Sequence, residues 1–482
     1  MPGSKLHATS PTYVPAWSSL PPELRHMILE VLARQTPGWG ACASVCREWQ
    51  ATLEKESFRR LKLQTSCLDD MKAMVGRRRA HLVRHAWLNI DLRPYTCRSC
   101  TKLESDSWHD SNTRVVRRAI VKLFSILSKW PVTEGAELTL ELSIQSPSDK
   151  EHHFKNLHFG GGDEHEHLIP KRSGNRLFYD SKHGWIKGRQ VDTPDEMALL
   201  RIFGPLYSLK FRESLPRVKV ATRFILRRQC RRNLEPTALG ALFDALPRLQ
   251  SLILEPWQVW DTFEQKRIWD PQYLSLIESH LPQTLKQISV FEETNEIRVT
   301  PPAVSTAFAK RSLGLEKLFV AFLAEAWDFF RSCQQDWVWS HMRSLTLTSS
   351  MLTQTRSLEI QTLLENAAMT ALSMPHLHTM VIWNGRKGEA SKFFYRAETS
   401  HTCIGWRGTW DLKLNPSVIR DWQRVADKHT RHDLQVIQEP LILKSISSHA
   451  GAIGLLDLPS EAVHPVSLLQ MQSEAESSWY KE

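Results

Sequence analysis

Leu246-Pro247-Arg248-Leu249-Gln250-Ser251-Leu252-Ile253-Leu254 is the stretch whose pattern decides the fold. A helical segment, 236–245, runs into Pro247, and a short run rich in β-favouring side chains follows it at once. The phrase, a helix end followed by Leu-x-x-Leu-x-Val or a variant of it, returns at Leu313–Val320 and Met374–Ile382, and less completely at Thr284–Val290 and His341–Leu347. Outward from these positions, strands are expected at Ala86–Leu92, Leu138–Ile144, Val220–Leu226, Leu249–Leu254, Leu285–Val290, Leu315–Val320, Met342–Leu347 and Leu377–Ile382. Between several of them, helical periodicity appears at Asn112–Lys129, Pro236–Ala245, Asp270–Ser279, Val304–Lys310 and Thr355–Ser373. Strands that alternate with helices imply an α/β fold.

From Leu252 to Ile288, Leu318, Leu345 and Met380 the successive offsets are 36, 30, 27 and 35 residues. This repetition resembles degenerate leucine-rich repeats, whose period is roughly 20–29 residues. The resemblance implies an α/β solenoid whose parallel strands line a concave face suited to an extended partner. Residues 64–444 are assigned to this leucine-rich-repeat-like domain, with Gln145–Gly188, rich in Gly, His, Ser and Asp, as an insertion loop. Residues 1–16 are expected to be a flexible N-terminus and 445–482 a mobile tail.

Residues 17–63 have a different character. Pro21 and Pro22 stand where a helix start tolerates a missing N–H, and Glu23 falls in the first turn, where the helix dipole favours an acid. Leu20, Leu24, Met27, Ile28, Val31 and Leu32 then form one apolar stripe, and Thr36-Pro37-Gly38 ends that helix. A second helical stretch, Ala41–Val45, and a third, Cys46–Leu53, follow, with Phe58–Leu61 closing the unit. Three helices of this size bury too little apolar area to be robust alone, so their faces need a partner.

Leu-Pro-x-Glu-Leu, Ile-Leu-x-x-Leu, Val45-Cys46-Arg47-x-Trp49 and Phe58-x-x-Leu61, in that order, resemble the F-box. The resemblance implies a three-helix packing that binds the Skp-type adaptor of cullin–RING (SCF) ubiquitin ligases. It places adaptor contact on Leu20, Pro21, Ile28, Leu32, Val45, Cys46 and Trp49, any of which could instead fill the three-helix core. Trp49→Ala is expected to cost roughly 3–5 kcal/mol. Phe58 stands where the family commonly has Trp, and the connector at 36–39 is extended. Most of the chain, with Tyr95-Thr-Cys-Arg-Ser-Cys100 after the first strand, also resembles filamentous-fungal F-box proteins whose C-terminal domain has no assigned function.

The chain has 482 residues, 41% hydrophobic and 24% charged, which suits a folded protein of two to four units. Eighteen tryptophans are the unusual feature of the composition: some of that aromatic area must be buried in cores, and a chain this rich in Trp can also keep several for interfaces, where Trp is enriched. The longest apolar runs, such as Leu318–Ala324, are far short of a membrane span. The N-terminal residues do not read as a secretory signal, and eight irregularly spaced cysteines make no disulfide framework; an intracellular location, cytoplasmic or nuclear, follows. The net charge of +10 is concentrated between Arg217 and Arg232, with seven Lys or Arg and no acid, and in a smaller run at Arg77-Arg78-Arg79. Residues 217–232 are read as a solvated face for an acidic protein partner; the alternative is a nucleic-acid-associated or structural scaffold.

Cys97-x-x-Cys100 has zinc-ligand spacing, but no second pair follows it, and His109 and Cys67 are the other residues considered for it. Two buried or loop thiols, no metal and no cofactor are expected. His158, His165 and His167 with Asp163, Glu164 and Glu166 are read as a solvated loop. No phosphate-binding loop, nucleophile elbow or His-Glu-x-x-His helix is present, so no catalytic residues are assigned. The expected protein is a non-catalytic adaptor that brings an unknown target protein to a ligase.

Overall fold

The computed structural model describes residues 17–35, 40–133, 135, 137–157, 179–204, 206–258, 265–292, 301–442, 445–446 and 448–477. Expectations for 1–16, the 36–39 connector, the glycine run at 159–163 and the histidines and acids of 158–167 lie outside these residues.

Three helices open the described chain: α1 (Pro22–Gln35), α2 (Gly40–Ala43) and α3 (Arg47–Arg59). α3 leads directly into β1 (Arg60–Gln64), whose sequence Arg-Leu-Lys-Leu-Gln alternates charged and apolar residues with the period of a strand. The sheet therefore begins at Arg60, inside the span assigned from sequence to the three-helix unit.

The strands that follow are β2 (His85–Asp91), β3 (Leu138–Gln145), the short β4 (Trp185–Ile186), β5 (Arg189–Gln190) and β6 (Leu206–Tyr207), then β7 (Ala221–Leu226), the short β8 (Asn233–Leu234), β9 (Ser251–Leu254), β10 (Gln287–Phe291), β11 (Lys317–Glu325), β12 (Ser344–Thr348), β13 (Thr379–Arg386), β14 (Glu389–Ala397), β15 (Thr402–Gly408) and β16 (Leu434–Gln438). Twelve of them form one open sheet in the order β1-β2-β3-β7-β9-β10-β11-β12-β13-β14-β15-β16. From β1 to β13 every neighbouring pair is parallel and in chain order; β14 and β15 then pair as antiparallel hairpins, and β16 is parallel to β15. The protein is thus a mixed α/β structure with a large sheet, and each of the eight expected strands overlaps one of β2, β3, β7 and β9–β13, although β11 runs on to Glu325 and β13 to Arg386, beyond the expected ends at Val320 and Ile382.

One face of the sheet carries the main core. Leu88 and Ile90, Leu140 and Leu142, Leu252 and Leu254, Leu318 and Val320, Leu345 and Leu347 alternate into it and meet the apolar stripes of the intervening helices, among them Asp106–Leu127, Pro236–Asp244, Pro302–Arg311, Ser357–Ala371 and Pro416–His429. The connecting helices pack on this side because each parallel step requires a crossover.

From β10 to β15 the opposite face is covered by the C-terminal segment. Helices His449–Leu455 and Pro465–Ser477 bring Ile446, Ala450, Ile453, Leu456, Val463 and Met471 against Phe291, Ala321, Val381, Trp383 and Phe394. For the described residues 448–477 the expectation of a mobile tail is corrected here. The weak hydrophobic periodicity of this segment reflects a buried face that is itself partly polar: Ser467 and Gln470 share it with Met471, so no clean apolar stripe marks the helix.

Candidate functional site

In the three-helix unit, Leu29 and Leu53 are fully buried and form its centre. Trp49 is half-buried, its ring 5.1 Å from that of Trp17, whose Nε1 donates to Glu48 Oε2 at 3.2 Å. Arg25 pairs with the same carboxylate at 3.3 Å. The unit is tied to the body of the protein by Arg79, which grips Glu54 of α3 with Nε at 3.0 Å and Nη2 at 2.8 Å, and whose guanidinium lies over Phe58.

Of the adaptor contacts expected from sequence, Pro21, Ile28, Val45 and Cys46 are exposed, while Leu20, Leu32 and Trp49 are half-buried. Leu24 (46% exposed), Met27 (59%) and Val31 (49%) extend the patch around Ile28 (46%), and Val45 (62%) is the most exposed residue of the group. Positions 24, 27, 28 and 31 follow i, i+3, i+4, i+7 spacing, so they share one face of α1. Sequence reasoning named these residues as a stripe, but a stripe alone does not say whether it faces inward or outward.

The basic run has a different fate from the one expected. Arg217, Lys219 and Arg223 point outward, but Arg227, Arg228, Arg231 and Arg232 are buried. Arg227 pairs with Glu141, which also accepts from His85 at 2.8 Å. Arg228 and Arg231 each reach Glu474 of the C-terminal helix at 2.7 Å. Arg232, with no exposed surface, meets Glu104 at 2.7 Å and Asp149 at 2.8 Å. The acids that neutralise the run are distant in sequence, which is why it reads as an uncompensated patch. Four of its seven cations are thus unavailable to phosphates or to an acidic partner.

These pairs also fix the C-terminal segment across the second face. Glu255, whose carboxyl burial pushes up, accepts from the Ser467 hydroxyl and, at 2.7 Å, from the backbone N–H of His464. Lys317 on β11 pairs with Glu461 at 2.8 Å, and Ser289 donates to the Glu461 carbonyl at 2.7 Å.

Residues 274–464 match a family model described as a family of unknown function (DUF6546). No curated protein matches the chain. The matched region runs from the helix before β10 through β16 to the first half of the C-terminal cover, so it spans the part of the sheet whose second face that cover buries. The three-helix unit lies outside it.

Where the cover ends, a cleft of about 970 Å³ opens between the three-helix unit and the N-terminal ends of the strands. Glu30 and Arg59 form one wall; Thr139, Arg223, Ser251, Gln287 and Lys317 cross its floor, in register on successive strands. No helix of the described residues is long and apolar enough to cross a membrane.

Residues able to hold a metal also converge. Cys97, Cys100, His152 and His183 each place a ligand atom within 4.8 Å of the others. His109, considered from sequence, instead stacks on Tyr207 at 5.0 Å, and Cys67 lies at a turn beside Ser66; neither belongs to the group.

Proposed function

We propose that residues 17–59 dock an SCF-type ubiquitin ligase through the Skp-type adaptor, and that the α/β body presents a target protein to that ligase. The observation that carries the reading is the uncovered apolar face made by Leu24, Met27, Ile28 and Val31, together with the exposed Val45 between α2 and α3, on a helical unit with few buried residues of its own. A contiguous apolar patch of this kind is a protein-interaction feature. Its sequence resemblance to the F-box supplies the partner. The chain's role is to bind; rate would come from holding an acceptor lysine near a thioester carried by another subunit.

The consecutive parallel strands support a solenoid-like body of the kind the leucine-rich-repeat resemblance implies. The second face from β10 to β15 is buried under the chain's own C-terminal helices, so the target surface belongs to the open cleft at the strand N-terminal ends rather than to the whole concave face. A scaffold for nucleic acid has less to rest on, since only Arg217, Lys219 and Arg223 of the basic run remain outward.

The test is co-purification of the full chain with a Skp-type adaptor, comparing wild type with Ile28→Asp and Val45→Asp. Both positions are exposed, so the variants should fold normally and lose the adaptor. Retention of the adaptor by the double variant would remove the proposal.

A further inference from the structure

We propose that Cys97, Cys100, His152 and His183 form a structural zinc site that clamps the loop after β2 to the chain on both sides of residues 158–178. This is independent of the ligase reading and uses none of the residues of the three-helix unit.

The donor set is the first argument. Two thiolates and two imidazoles around one point suit a tetrahedral ion of intermediate softness, and four protein ligands leave no open coordination position, the mark of a structural rather than a catalytic zinc. Bond lengths of about 2.3 Å to sulfur and about 2.0 Å to nitrogen make tetrahedral S···N edges of roughly 3.5 Å. His183 Nε2 lies 3.3 Å from Cys97 Sγ and 3.6 Å from Cys100 Sγ.

The surroundings orient the ligands. His183 Nδ1 meets Asp180 Oδ2 at 2.7 Å, which fixes the proton on Nδ1 and turns the Nε2 lone pair toward the sulfurs, the usual support of a metal-bound imidazole. Asp180 is itself held by Lys155 at 3.0 Å. His152 has a buried Nε2 with no hydrogen-bond partner among the described residues, a nitrogen in want of what a metal would supply. Its ring centroid is 5.0 Å from that of His183.

The backbone places these side chains by bonds that do not involve a metal. Cys97 and Cys100 sit in a turn closed by Ser99 N–H donating to the Thr96 carbonyl at 2.9 Å. The carbonyl of His153, next to His152, accepts from Trp185 Nε1 and Gln190 Nε2, both at 3.0 Å. Reciprocal backbone bonds between Asp180 and Trp185 hold the turn that carries His183. A zinc ion here would cross-link three segments far apart in sequence, and by closing the long loop between His152 and His183 it would restrict the unfolded chain as a disulfide does.

The experiment is elemental analysis of the full chain purified without chelator from zinc-supplemented cells. About one zinc per chain is expected, with loss from Cys97→Ser/Cys100→Ser and from His183→Ala, and retention in His109→Ala and Cys67→Ser, which alter residues outside the group. Cys97→His, which keeps a donor at the site, should bind zinc, so that loss of metal can be told from loss of fold. Replacement by cobalt(II) should give the intense visible absorption of a tetrahedral thiolate complex, and chelation should lower the thermal unfolding midpoint. A wild-type chain without zinc, or zinc that survives in the Cys97→Ser/Cys100→Ser variant, would overturn the site.

Discussion

Trp49 and Arg232 show how differently two prominent side chains are used. Trp49 is half-buried against Trp17, so Trp49→Ala should cost the isolated chain about 1–2 kcal/mol, less than the 3–5 expected for a sealed tryptophan, and the larger loss should appear in adaptor binding. Chemical denaturation and pull-down of the same variant separate the two effects. Arg232 is buried between Glu104 and Asp149, and Arg232→Met would leave two carboxylates without their cation. A loss of about 3–5 kcal/mol is expected from the denaturation midpoint. Glu474 offers a pH test. Burial opposes its ionisation, but Arg228 and Arg231 overcome this and hold the carboxyl at about 2. Its folded value lies below that of the unfolded chain, so its stabilisation is fully present above about pH 4.5 and fades as pH falls toward 2. Between pH 5 and pH 3, roughly, wild type should therefore lose more stability than Glu474→Gln; parallel curves would deny the pairing.

Among the elements, the C-terminal pair of helices departs most from its sequence signal. Removing residues 446–477 would uncover Phe291, Trp383 and Phe394 and strip Arg228 and Arg231 of Glu474. The truncated chain should lose at least about 4 kcal/mol or fail to accumulate as a folded protein, whereas loss of a mobile tail would leave the melting temperature unchanged. The strands were legible because alternation of apolar and polar residues is local: Leu138-Thr-Leu-Glu-Leu-Ser-Ile144 states its own two faces. β14 and β15 were not, since Lys392-Phe-Phe-Tyr395 and Cys403-Ile-Gly-Trp406 are buried on both faces and lose the alternation that marks a strand. The α1 stripe was legible as a stripe, but its outward direction depends on what α3 covers.

At the scale of the whole molecule, charge is the quantity that sequence misjudges. The net +10 suggests a basic surface, yet the densest basic run is largely internal. If nucleic acid binds at all through 217–232, no more than about three phosphates can be neutralised there, and the salt slope removed by replacing Arg217, Lys219 and Arg223 with Ala should not exceed about 3 in a log–log titration. A drop nearer 7 would mean that the buried arginines become available. Local pattern suffices for the eight strands β2, β3, β7 and β9–β13, for helices between several of them, and for the helices of α1–α3 with the apolar stripe of α1, because each rests on periodicity within a few turns or residues. Tertiary structure alone decided which arginines find acids, which face the C-terminal helices seal, and which histidines join Cys97 and Cys100. Those outcomes depend on groups far apart in the chain, such as Arg231 and Glu474, which are separated by 243 residues, and proximity of that kind is set by the packing of the sheet rather than by any local pattern.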